Sequence, residues 1–191
     1  MHGGRMFEEV TFERDCPAVI VPDGIETVIP GNTIGYITQV LGGNFTLQMS
    51  NGYLVRVSGK DADAVGREPE PEPEAVYDDD GKVVVTPDQV VDQLRKCYDP
   101  EIPVNIMELG LVYRHDLLDA QEQGHEGHYR VEVDMTLTAP GCGMGQVLID
   151  DVEHAMRRIP GVAEVMVDLT FDPPWSPERM SDEARLELGF M

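Results

Sequence analysis

Apolar residues recur along this chain with two different periods, and the change of period divides it. Over the first third the pattern is short-range alternation. Cys16-Pro17-Ala18-Val19-Ile20-Val21 and the run from Thr33 to Val40 are rich in β-branched residues and end in turn-forming ones. Phe45-Thr46-Leu47-Gln48-Met49 alternates apolar with polar, breaks at Ser50-Asn51-Gly52 and resumes as Tyr53-Leu54-Val55-Arg56-Val57. Asn-Gly between two alternating runs predicts a hairpin, and Gly42-Gly43 predicts a second tight turn. Residues 10–65 are expected to form a small β-rich domain, a compact barrel or curled sheet of four or five short strands. It contains no histidine, and its expected task is structural or partner-facing.

Further on, helical spacing alternates with strand spacing. Thr86-Pro87-Asp88-Gln89 combines a capping hydroxyl, a proline suited to the first helical position and a glutamine that completes a capping box. Val90, Val91, Leu94 and Cys97 then make one apolar face to about Tyr98, with Cys97 read as a core residue. Asp99-Pro100-Glu101-Ile102-Pro103 forces an extended, turn-rich connection. A strand is expected from Gly110 to about Leu118, and Tyr129 to Thr138 alternates throughout as a second one. The polar, glycine-broken stretch between them reads as a hairpin tip. Its His125 and His128, with Glu122 or Glu126, could hold a metal, but such a tip offers no scaffold to preorganise ligands.

Gln146 to Ile159 places Val147, Leu148, Val152, Ala155, Met156 and Ile159 on one stripe, with Arg157 and Arg158 at the end the helix field prefers. Pro160-Gly161 stops this helix, and His154 falls on its exposed side. Val162 to Leu169 is a third strand, followed by the stiff corner Phe171-Asp172-Pro173-Pro174-Trp175. That corner is either a lid or wall over the turn at Cys142, or a packed chain reversal. A short helix carrying Ala184, Leu186 and Leu188 follows. The order helix, strand, strand, helix, strand, helix predicts a small two-layer α/β domain over residues 83–191, its sheet mostly antiparallel or mixed. The whole chain is thus expected to be α+β.

Residues 66–82 differ in kind. Arg67-Glu68-Pro69-Glu70-Pro71-Glu72-Pro73-Glu74 cannot form a helix or a central strand, and Asp78-Asp79-Asp80-Gly81 continues the acidic character. The segment reads as an exposed linker, either a solvated spacer or an acidic docking tail. The whole chain of 191 residues carries 36 acidic and 14 basic side chains, a formal charge of −22. That field repels phosphates, and no basic stripe interrupts it, so nucleic acid is not an expected partner. No apolar run is long enough to span a membrane, and Met1 to Thr11 do not make a signal peptide. A cytoplasmic protein is expected. The three cysteines Cys16, Cys97 and Cys142 are too dispersed for a disulfide framework or a zinc ribbon.

Candidate chemistry converges on Thr138-Ala139-Pro140-Gly141-Cys142-Gly143-Met144-Gly145. A strand feeds this stretch and a helix leaves it, so Cys142 falls where α/β folds carry sites, beside helix N–H groups able to stabilise a thiolate. The glycines Gly141 and Gly143 allow close approach of a ligand or partner. The alternative is a tight turn with a buried cysteine. Enzyme signatures are absent: there is no phosphate-binding glycine loop, no His-Glu-x-x-His, no Cys-x-x-Cys and no histidine well placed to act as base for Cys142. What remains is a single accessible thiol suited to transient holding of iron or of a shared cluster.

Asp99-Pro100-Glu101-Ile102-Pro103-Val104-Asn105-Ile106, Leu109-Gly110-Leu111-Val112-Tyr113, the Thr138–Met144 turn and Asp172-Pro173-Pro174-Trp175-Ser176 with Met180-Ser181 occur here in order. Together they resemble the small domain of the iron–sulfur cluster assembly family that includes PaaD-like, MIP-type and SufT-type proteins. Asp23-Gly24, Gly31, Gly42-Gly43 and Gly59-Lys60-Asp61-Ala62-Asp63 resemble the SufT-type members in particular. The resemblance implies a non-enzymatic accessory role in assembling clusters or delivering them to apo-proteins. Its functional and metal-contacting residue falls on Cys142, with Thr138, Gly141, Gly143 and Trp175 around it and the acidic Asp99 and Glu101 near it in the folded domain. It implies a transient iron–sulfur cluster or iron as cargo and nothing permanently bound. The expected partners are the assembly machinery and client apo-proteins, and a homodimer is expected because one thiol per chain favours a shared ligand set. Three roles stay open for the cysteine: binding iron directly, bridging a cluster in a dimer, or contacting clients. A metal-free adaptor recruiting clients to the assembly machinery is the second reading, and a thiol-dependent enzyme the third. Many relatives carry proline after this cysteine, and Gly143 leaves the turn freer.

Overall fold

The computed structural model describes residues 7–120 and 129–190, so the His125/His128 loop reading lies outside the described residues. The chain divides into two compact units, Met1–Pro71 and Glu72–Met191, a division that falls inside the segment read as a linker.

Unit 1 is an antiparallel sheet. Its strands are β1 (Glu8–Thr11), β2 (Cys16–Val21), β3 (Ile25–Ile29), β4 (Ile34–Leu41), β5 (Asn44–Met49) and β6 (Leu54–Val57), paired in the order β1-β4-β5-β6-β2-β3. Six strands form where four or five were expected. The four-residue β1 is too polar, and β3 too exposed, to alternate clearly. The order has two ends, β1 and β3, and the pairing does not show them joined into a ring. Both expected turns are present: Gly42 and Gly43 have φ of 56° and 80°, and Gly52 has φ of 89°. Positive φ at two central residues gives the turn twist that a two-residue hairpin needs. Phe12, Cys16, Leu47 and Val57 are fully buried at the centre, and the 3-10 turn Gly59–Val65 covers them with Ala62, Ala64 and Val65.

Unit 2 opens with a hairpin of β7 (Val76–Tyr77) and β8 (Val83–Val84). The acidic run read as spacer is its turn: Asp78 Oδ1 accepts the N–H groups of Asp80 and Lys82 at 2.9 and 2.8 Å, and Gly81 adopts φ 77°. Upstream, Glu72 accepts from Arg158 at 3.3 Å and the Glu74 carbonyl from Gln89 at 3.1 Å. Then come α1 (Pro87–Leu94), β9 (Val112–Asp119), β10 (Tyr129–Met135), α2 (Gly145–Arg157), β11 (Val162–Leu169), the 3-10 turn Pro177–Arg179 and α3 (Asp182–Glu187). The capping box forms, with Thr86 Oγ1 accepting the Gln89 N–H at 3.3 Å and Gln89 Oε1 the Thr86 N–H at 3.0 Å. α1 ends four residues before Tyr98, because Lys96 and Cys97 bond back three residues, a tightening that closes the helix ahead of Pro100.

The sheet order is β11-β10-β9, with β10 antiparallel to β9 and parallel to β11. Val131, Val133 and Met135 on β10 are fully buried, as are Leu148, Val152 and Met156 on α2. The intervening Arg130, Glu132 and Asp134 take the other face, where Arg114 bonds Asp134 at 2.7 Å and Arg130 pairs with Glu132. The class is therefore α+β with mostly antiparallel pairing. No helix among the described residues is long and apolar enough to cross a membrane.

Candidate functional site

Because β10 and β11 are parallel, the chain leaves both at the same end of the sheet, and antiparallel β9 starts there. Main-chain bonds lock this end: Thr136 N–H to Leu111 O at 2.8 Å and Thr170 N–H to Met135 O at 2.8 Å. Thus β10 stops at Met135, three residues short of the expected Thr138, and the loops 136–144 and 170–175 leave side by side in the topology.

The cysteine turn is anchored on both flanks. Leu137 and Met144 are buried, and full burial of such a side chain contributes about 1.5–3 kcal/mol. Gly145, the first residue of α2, lies so close to Leu137 that a Cβ there would come 2.6 Å from Cδ1. Between these anchors Thr138 is half-buried and Ala139, Pro140, Gly141 and Gly143 are exposed. Gly141 holds φ 77° in open space. Cys142 is half-buried, packed against the core beneath, and its carbonyl accepts the Gly145 N–H at 3.0 Å.

Among the described residues its thiol has no hydrogen-bond partner, so the helix amides near it do not reach the sulfur. The other two thiols differ. Cys16 is 0% exposed and Cys97 3%, and Cys97 Sγ lies 3.7 Å from Gln93 O. Burial pushes the Cys16 thiol up to about 11.

Asp99 is only 5% exposed. Its Oδ1 accepts the N–H groups of Glu101 and Ile102, each at 2.9 Å. Burial raises its carboxyl above the ordinary value, while these two N–H groups pull the other way. Asp99 thus ties together the loop before Val104, and Glu101 is exposed. Cys142, Asp99 and Glu101 do not form a three-membered ligand group: among the described residues there is no group of three or more His, Cys, Asp or Glu that could hold a metal ion.

Trp175 is half-buried against the core and donates from Nε1 to Leu109 O at 2.7 Å. Around it Tyr113 Oη donates to Pro173 O at 2.7 Å, the Arg179 guanidinium stacks 4.3 Å over the Tyr113 ring, and Ser181 N–H bonds Glu108 O at 2.8 Å. The corner is therefore a packed chain reversal seated on residues 108–113. Gly110 makes that seat possible. It has φ 71°, and a Cβ there would collide with the Arg179 carbonyl, 2.8 Å from its carbon. Gly110, Tyr113 and Arg179 carry this docking; Gly110, expected to open a strand, instead precedes β9 in a left-handed conformation, and no local pattern marks Tyr113 or Arg179 for the contact.

These features define a class: a small α+β domain presenting one half-exposed thiol at the loop end of its sheet. Residues 87–167 match the family model described as iron-sulfur cluster assembly protein. A Fe-S protein maturation auxiliary factor of Porphyromonas gingivalis is 46% identical over 106 residues, 56% of this chain and 93% of that protein. The auxiliary factor SufT of Staphylococcus aureus is 40% identical over 91 residues, 48% of this chain and 94% of its own length. The auxiliary factor YitW of Bacillus subtilis is 33% identical over 102 residues, 53% and 92% respectively. The chain belongs to the iron–sulfur cluster assembly protein family. Unit 1 lies outside the span of the family model.

Proposed function

We infer that this chain is an accessory factor in iron–sulfur protein maturation that meets its cargo or its client through Cys142. The observation that carries this reading is the contrast among the three thiols. Two are sealed in separate cores, and the third sits half-exposed, without a hydrogen bond, on a turn anchored by Leu137 and Met144. The similarity to three maturation auxiliary factors supports the accessory role, and none of their names describes a catalyst.

The iron or cluster is cargo that the chain passes on. Iron–sulfur clusters are held by several thiolates, and this chain offers one. Cys142 would lose its proton to solvent on binding iron, and the remaining ligands would come from a second copy or from the client. Asp99 fixes the loop before Val104 and Trp175 the corner after β11, and neither is assigned contact with the cargo. The adaptor reading, in which client apo-proteins are recruited to the assembly machinery and no metal is touched, draws support from the absence of a ligand group of three among the described residues.

Anaerobic cluster reconstitution of the wild type beside Cys142→Ala separates the two. Iron content and visible absorption that depend on Cys142 support transfer through the thiol. Client binding that survives the substitution, with no iron in either protein, supports the adaptor.

A further inference from the structure

The sheet of unit 1 has two end strands, and they are protected unequally. β1 is four residues long and carries Glu8 and Glu9, with Glu8 ion-paired to Arg67. β3 reads Ile25-Glu26-Thr27-Val28-Ile29, β-branched at all but Glu26, and has no proline, lysine or bulge. Ile25 and Val28 are 56% and 59% exposed. Folded proteins blunt such edges with charge, proline or short strands because an open edge templates further pairing.

The register with β2 fixes which main-chain groups are open. Val28 lies opposite Pro17. Proline has no N–H, so this pair cannot exchange two hydrogen bonds and must be the non-bonded kind, which alternates with the bonded kind along an antiparallel ladder. Ile25, Thr27 and Ile29 therefore bond inward to β2. Glu26 and Val28 turn their N–H and C=O outward.

The geometry points to a second copy of this chain as the occupant, pairing β3 with β3 antiparallel about a two-fold axis at Thr27. In that register Glu26 exchanges both main-chain bonds with Val28 of the second copy, and the symmetry repeats the exchange. Ile25 faces Ile29, and Thr27 faces its twin. The neighbouring registers fail. One sets Glu26 against Glu26, a like-charge pair, and the other sets Glu26 against Pro30, which lacks the N–H. The interface is isologous and closes at two chains. One strand pair is a small contact, and each chain carries −22, so association is weak and tightens as salt screens the repulsion.

Sedimentation equilibrium of the full chain from about 10 μM to 1 mM, at low and high salt, tests this in the range where so small an interface operates. The wild type should approach twice the monomer mass at the top of the range, more readily in high salt. Val28→Glu places a like charge opposite Glu26 and should weaken dimerisation about fivefold over the two symmetric pairs. Val28→Lys places a lysine opposite Glu26 and should tighten it by a similar factor, the gain shrinking with salt. Circular dichroism checks that both variants, altered at an exposed position, stay folded. A wild type that remains monomeric at 1 mM overturns the proposal and leaves the edge to a segment of another protein. Equal weakening by glutamate and lysine overturns the register.

Discussion

Alkylation of the three thiols in the folded protein measures the difference on which the functional reading stands. A cysteine reacts as its thiolate and only where the reagent reaches it. Cys16 and Cys97, at 0% and 3% exposure, sit in the cores of separate units, whereas Cys142 is half-exposed and its thiol has no hydrogen-bond partner among the described residues. A buried thiol waits for its surroundings to open. If opening costs about 5 kcal/mol, the low end of domain stability, the open state is populated at about 2 in 10,000. Cys97 should then be labelled between three and four decades more slowly than Cys142, which spends no time waiting. Burial also pushes the Cys16 thiol up to about 11, so in the closed state it holds little thiolate near pH 8 and its reaction likewise waits for opening. Peptide mass spectrometry of a timed iodoacetamide reaction resolves all three sites at once. Adding denaturant below the unfolding transition should accelerate Cys16 and Cys97, each reporting its own unit, and leave Cys142 unchanged. Should Cys142 share the rate and the denaturant dependence of Cys97, its sulfur is sealed and the proposed transfer site has no entrance.

Gly110→Ala adds a left-handed strain of about 1–2 kcal/mol to a collision with the Arg179 carbonyl. It should lower stability by about 2–4 kcal/mol and release the C-terminal segment, seen as a red shift in the fluorescence of Trp175, the one tryptophan. Thr86→Ala removes the capping hydroxyl of α1 and should lower stability by about 1 kcal/mol, read by urea denaturation. Asp99 tests pH dependence. Its folded carboxyl lies above the ordinary value, so the native state binds the proton more tightly than the unfolded state. The stability this adds is fully present below the unfolded value and fades as pH rises through the raised native one. Asp99→Asn keeps the acceptor for the Glu101 and Ile102 N–H groups but removes the titration. Its stability relative to the wild type should therefore improve from pH 3 towards neutrality, and a difference that stays constant across that range contradicts the assignment.

The sequence announced most of these elements because local chemistry and burial agree in them. Thr86-Pro87-Asp88-Gln89 caps a helix wherever it is placed, Tyr129 to Met135 alternates because one face is buried, and Gly42-Gly43 suits only a primed turn. Local pattern is silent where a residue's partner is distant or where composition hides a turn. Asp78-Asp79-Asp80-Gly81 looked like a solvated spacer, yet one carboxylate bonding its own backbone makes it a hairpin turn. β3 escaped notice because an end strand lacks the second neighbour that enforces alternation. The seat of Trp175 on Leu109 O spans 66 residues, and no local pattern encodes a bond of that length.

The acidic and tryptophan motifs bear on what kind of site Cys142 can be. A carboxylate is a common metal ligand and an indole a common partner contact. In the fold each commits a polar atom to the backbone: Asp99 Oδ1 to two N–H groups of its own loop, Trp175 Nε1 to the Leu109 carbonyl. Giving up those bonds would loosen the loops they hold. The thiol has no such commitment. Unlike Asp99 Oδ1 and Trp175 Nε1, the Cys142 thiol would engage iron or a client without first giving up a hydrogen bond. Loss of Asp99 or Trp175 should therefore appear first as loss of stability, and loss of Cys142 as loss of function in a domain that remains folded.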